Sequence, residues 1–254
     1  MIRTPPQIHK IMSCRLCQKN SDLQNSHIIP EFFYTETYDA LHRYHIITTN
    51  PNEREHYGQK GFREPLLCKL CEQRFSRWEN YAKKTFVDGK GIKAIQFKGG
   101  VRLDGIDYAK FKLFLLSMLW RMGVSSLEHL NEVQLGEYHE ATLRAALLNE
   151  NPLDPARYAC FLMGLSIKGN IYTDWIFQPT LVKVRGQHCY RILINGILFC
   201  FFVSKQAVPN CFVPIILSRQ NQLFVFQDDV LNVPFLSGAL HKFAKAMKQR
   251  KVRS

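Results

Sequence analysis

Cys14-Arg-Leu-Cys17, Ser26-His27-Ile28-Ile29-Pro30 and Leu67-Cys68-Lys-Leu-Cys71-Glu72 follow one another in the first third of the chain, and their order decides how the rest is read. Two thiolates spaced by two residues at a tight turn reach the same ion. The two pairs together therefore supply four sulfurs for one tetrahedral zinc. A closed set of four cysteines leaves no open coordination position, so such a zinc would hold structure and do no chemistry. A histidine, His27, lies between the two pairs; taken alone, a histidine on an apolar strand is more often a satisfied core residue than a catalyst.

Working outward, the segment from Glu72 to Lys84 reads as a helix, with Phe75, Trp78 and Ala82 at i, i+3 and i+7. Glu72, Ser76, Glu79 and Lys83 share another face of it. On the other side, His27 to Pro30 reads as a short strand stopped by proline, which cannot donate to a central ladder. Residues 31 to 64 read as an insertion, helix then strand, with Phe32-Phe33-Tyr34 near its start and a turn at Asn50-Pro51-Asn52. Pro5-Pro6 discourages regular structure ahead of the first cysteine pair. A knuckle, a strand pair and a helix opening at the second pair describe a treble-clef arrangement.

Beyond it, Gly89, Gly91, Gly99 and Gly100 mark a linker or hairpin, and apolar residues from Tyr108 to Met122 recur at the spacing of an amphipathic helix. A second helix is predicted from about residue 135 to 149, carrying Tyr138, Leu143, Ala146 and Leu147, before Pro152 and Pro155 break the phase. From Tyr158 to about Val230 short apolar runs alternate with turns, and Asn195-Gly196 is a type I′ hairpin signal. An antiparallel sheet of about four to six strands is expected there. The fold class is therefore α+β. It divides into a zinc-stabilised module over residues 1–98 and a mixed helical and antiparallel β domain over 99–254. The second part ends in a basic tail of Lys242, Lys245, Lys248, Arg250, Lys251 and Arg253.

The chain of 254 residues carries a formal charge of +13, which favours a polyanionic partner such as nucleic acid. Arg74, Arg77, Lys83 and Lys84 lie on the helix beside His27's motif; a solvated face is the default reading for them, and phosphate contact is the alternative that the net charge modestly favours. The first residues lack the apolar core of a signal peptide, so a cytoplasmic protein with reduced cysteines is expected. The apolar runs at 111–120 and 192–203 fall short of the roughly 20 residues that cross a bilayer, so no membrane is expected as partner. Cys160, Cys189, Cys200 and Cys211 stand singly and read as small buried hydrophobes.

The order Cys-x-x-Cys, His-Ile-Ile-Pro, Leu-Cys-x-x-Cys and a polar helix resembles the zinc-containing HNH, or ββα-metal, nucleases. The resemblance covers Cys14 to Tyr81, about a quarter of the chain. It implies an endonuclease acting on double-stranded DNA phosphodiesters, with His27 as general base and Cys14, Cys17, Cys68 and Cys71 as ligands of a structural Zn2+. It also implies a catalytic Mg2+ or Mn2+ at Glu72, with Glu79 a further candidate ligand. Standalone bacterial or phage proteins resembling this family often act in restriction or anti-phage defence, and the resemblance implies that context. The chain departs from the family pattern at Ser26, where an acid or histidine is usual, and at Glu72, where histidine or asparagine is usual. The family's central asparagine has no unique match, with Asn50, Asn52, His45 and His56 all in the insertion. Two further readings stay open: a non-catalytic zinc-stabilised nucleic-acid-binding module, and an interaction protein that docks a partner or a second copy through its C-terminal half.

Overall fold

The computed structural model describes residues 12–35, 37–48, 56–167, 169, 175–234, 236–238 and 240. Pro5-Pro6, Asn50, Asn52 and the basic tail from Lys242 lie outside the described residues. The N-terminal part holds β1 (Met12–Ser13), β2 (Asn20–Ser21), β3 (Leu23–His27), β4 (Tyr44–Ile47), β5 (His56–Gly58), β6 (Arg63–Cys68) and α1 (Lys69–Phe86). Next come β7 (Lys93–Phe97), β8 (Gly100–Asp104), α2 (Tyr108–Val124) and α3 (Gly136–Leu148). The last strands are β9 (Cys160–Ser166), β10 (Trp175–Val184), β11 (Gln187–Ile194), β12 (Ile197–Val203) and β13 (Gln222–Asp229).

The strands form two small antiparallel pairs, β1 with β2 and β3 with β6, and one sheet of nine in the order β5-β4-β10-β11-β12-β9-β13-β8-β7. The segment from Tyr158 to Val230 supplies five of these strands, within the expected four to six, but the sheet is larger than that segment and not wholly antiparallel. The insertion donates β4 and β5, the glycine-marked segment donates β7 and β8, and the sheet is mixed. β4 runs parallel to β10, and β9 runs parallel to β13. Sequence periodicity reports which segments are extended but not which strand each one meets, and both parallel contacts join segments remote in the chain. The Asn195-Gly196 turn does join β11 to β12, with φ of 51° and 71° as a type I′ turn requires. Pro179 explains an irregularity inside β10, where pairing to β11 shifts between Phe177 and Thr180 because proline offers no N–H.

Helix α2 differs from the amphipathic element expected. Thirteen of its 17 residues are buried, among them Lys112, Ser117 and Arg121, so it lacks a solvated polar face. Each buried cation meets oxygen. Lys112 Nζ donates to the carbonyls of Arg157 and Tyr158 at 2.8 and 2.9 Å, which ties α2 to the loop before β9. Helix α3 buries Leu143, Ala146 and Leu147 as expected but leaves Tyr138 exposed.

One buried cluster runs without a break from Cys14 and Leu16 through Phe75, Phe114 and Trp120 to Leu223 and Val225. A second lies around Ile47, Leu165, Phe177, Cys189, Cys200 and Phe202. The boundary placed at residues 98 and 99 falls in the turn between β7 and β8, which pair with each other.

Candidate zinc cluster and the His27 site

The first cysteine pair sits on a tight reversal between β1 and β2. Cys14 N–H donates to Lys19 O at 3.0 Å, Gln18 N–H donates to Cys14 O at 2.8 Å, and Gln18 adopts φ of 61° to close the turn. Arg15 N–H donates to Leu66 O at 3.1 Å, which lays this knuckle against β6. Cys68 ends β6 and caps α1, while Cys71 lies in the first turn of that helix. The positive end of the helix dipole favours thiolates there.

These turns bring the four sulfurs of Cys14, Cys17, Cys68 and Cys71 within 4.8 Å of one another. Sγ of Cys17 and Sγ of Cys68 are 3.8 Å apart. A tetrahedron with Zn–S bonds of about 2.3 Å has edges of about 3.8 Å, so the spacing fits zinc, and it is far too long for a disulfide. A hydrogen bond from the Cys71 thiol holds Cys14 down to about 4, and the same contact pushes the Cys71 thiol up. The cluster can hold a metal ion such as zinc. It is the sole group of three or more converging His, Cys, Asp or Glu donors among the described residues.

His27 is the last residue of β3, and Ile28 and Ile29 follow the strand and do not extend it. Their side chains are fully buried, and Ile28 N–H donates to Phe62 O at 2.8 Å. Pro30 then turns the chain into the 3₁₀ segment Glu31–Phe33, which carries Glu31 back over His27. His27 Nε2 forms an ion-pair contact with the Glu31 carboxylate. Arg63, the cross-strand partner of His27, donates from Nη2 to the same carboxylate at 2.9 Å. Burial lowers the His27 pKa below its ordinary value and the Arg63 charge lowers it further, while Glu31 opposes both. Side-chain exposures of 21% for His27, 32% for Arg63 and 46% for Glu31 make this the open edge of the site.

Ser26, Glu72, Glu79, Arg74 and Arg77 are engaged with protein partners. Ser26 is fully buried; its hydroxyl donates to Glu72 Oε2 at 2.6 Å and accepts from Leu67 N–H at 3.3 Å. Ser26 therefore links β3, β6 and α1. Glu79 pairs at 2.6 Å with Arg121 Nη1, whose side chain is 1% exposed. The same nitrogen donates to the His27 carbonyl at 2.6 Å, and the Arg121 guanidinium packs 5.3 Å from the Phe75 ring centroid. Arg74 donates to Leu148 O at 2.6 Å and Arg77 to Glu150 at 2.6 Å, so both tie α1 to the end of α3. Lys83 and Lys84 remain exposed. His45 lies in β4 of the large sheet, beside the Tyr57 ring.

Sequence reading missed Glu31, Arg63 and Arg121. Glu31 had a signal in its spacing, four residues after His27 across a proline. Arg121 had one too, as a charged residue closing the apolar run of α2. Arg63 had none, because its place depends on strand register. Comparisons of the chain with protein-family models, with curated proteins and with solved structures return no match.

Proposed function

We propose that the chain is a zinc-stabilised endonuclease of the HNH type that hydrolyses DNA phosphodiester bonds with His27 as general base. One observation carries the reading: His27 ends the strand paired to the cysteine-bearing β6 and holds Glu31 on one ring nitrogen, with Arg63 opposite. A carboxylate against Nε2 favours the tautomer that carries its proton there, with the lone pair on Nδ1 to take a proton. In that role His27 removes a proton from water as the water oxygen bonds to phosphorus. The bond from phosphorus to one ester oxygen breaks, and that oxygen leaves as a hydroxyl with a proton from solvent. Zinc at the four cysteines would fix the knuckle, β6 and the start of α1 in place. The net charge of +13 and the exposed Lys83 and Lys84 support a nucleic-acid substrate.

The resemblance assigns Mg2+ or Mn2+ to Glu72 and Glu79. The residues present do not converge on such a cation, since Ser26 holds one carboxylate and Arg121 the other. The same engagement favours a second reading, a zinc-stabilised nucleic-acid-binding module without catalysis. Incubating supercoiled plasmid with the protein, with and without Mg2+, decides between them. Nicking that falls at least about 100-fold in His27→Ala supports the nuclease, since general bases contribute roughly 10²–10⁴-fold. Salt-dependent binding with no nicking supports the module.

A further inference from the structure

We propose that this site cleaves phosphodiesters without a divalent cation, with the Arg63 guanidinium meeting the phosphate charge. The inference rests on the nuclease reading. It starts from the carboxylates around His27, each of which already has a partner. Glu31 is shared by His27 and Arg63. Glu72 accepts a hydrogen bond from the fully buried Ser26 hydroxyl. Glu79 neutralises Arg121, which is 1% exposed. Turning Glu79 toward a metal ion would leave a buried guanidinium with no counter-charge, a strongly unfavourable state. Turning Glu72 away would leave the buried Ser26 hydroxyl only its longer contact with Gln24 O at 3.4 Å.

Arg63 has what the acids lack. It lies on a paired strand directly opposite His27, and its Nη2 is fixed by Glu31 at 2.9 Å. Its Nε is buried without a hydrogen-bond partner, while the side chain as a whole is 32% exposed. A partly exposed planar guanidinium suits phosphate oxygens and keeps its charge at any working pH. Held beside the base, it stabilises negative charge gained by the non-bridging oxygens as water attacks, the work otherwise given to a cation. The covalent step is unchanged: His27 takes the proton of the attacking water, and solvent protonates the leaving oxygen. Arg121 cannot reach substrate from its buried place and acts as a positioning residue, through the His27 carbonyl and Glu79.

The test is plasmid nicking by the full chain in buffer freed of divalent ions on a chelating resin, with zinc content measured on the same sample. Nicking equal, within about threefold, to that in added Mg2+ is expected while zinc stays on the protein. Arg63→Ala should lose about 10²–10³ in rate, the range for removing one charge-stabilising donor, and retain its zinc. Free guanidinium ion should restore part of the Arg63→Ala rate and none of the His27→Ala rate, which a merely structural role would not produce. Arg63→Lys, which keeps the Glu31 pair, should stay folded and cleave more slowly than the parent. Nicking that requires Mg2+ or Mn2+, or unaltered nicking by Arg63→Ala, overturns the inference and leaves the nuclease reading standing. No nicking under any condition overturns both.

Discussion

The knuckle and β3–β6–α1 region and the nine-stranded sheet both bury cysteines, and they use them in opposite ways. Cys14, Cys17, Cys68 and Cys71 turn their sulfurs toward one another. Cys160, Cys189 and Cys200 are buried in strands, where burial pushes the Cys160 thiol well up and keeps it protonated. A polar set that converges creates a site, whereas the same residue type scattered over a sheet fills space. Helix α2 shows the contrast within a single element. Lys112 ends on backbone carbonyls and serves only packing, while Arg121, nine residues on, ends on Glu79 and on the His27 backbone.

The strongest way to break this comparison is through the sulfur cluster. Cys71→Ser should reduce bound zinc from about one per chain to near zero. Because folding of small zinc sites is coupled to metal binding, it should also unfold the knuckle and α1 N-terminus while the sheet survives. Metal analysis and amide exchange read the two outcomes, and zinc retained in Cys71→Ser would undo the site. Next in size is Arg121→Ala, which leaves Glu79 buried without its cation and should cost about 3–5 kcal/mol in urea unfolding. Replacing both, as Arg121→Met with Glu79→Leu, should recover much of that loss; an equal or larger loss would mean the pair is not the cause.

Lys112 offers a pH test of the sheet side. Burial lowers it from 10.5 to about 7, so between those values the unfolded chain binds a proton that the folded chain has released. Stability should therefore rise with pH across that window, by at most about 1.4 kcal/mol per unit, and Lys112→Met should flatten the rise. Melting temperatures of both proteins from pH 7 to 10 measure it, and parallel curves would refute the assignment. The smallest effect is expected from Cys160→Ala, about 1 kcal/mol for a lost buried sulfur, with zinc content unchanged. A loss of zinc in that variant would erase the distinction between the two cysteine sets.

The sequence by itself determined the elements whose causes are local. Two Cys-x-x-Cys turns, a helix opening at Cys68, the Asn195-Gly196 hairpin and the helical spans of α2 and α3 all follow from periodicity and turn chemistry, and all are present. It also singled out His27, though not that Glu31 and Arg63 would surround it. Tertiary structure alone decided the nine-strand order, with its two parallel contacts, and the fate of each charge near the site. Glu72 and Glu79 read as free ligands along a helix face. They became a hydrogen-bond acceptor and a buried counter-ion once β3 and α2 packed against that helix. A carboxylate's role depends on which donor lies within hydrogen-bond reach, and that donor came from 46 residues before Glu72 in one case and 42 after Glu79 in the other. Spacing along one helix carries no information about such partners, because packing between remote segments sets them.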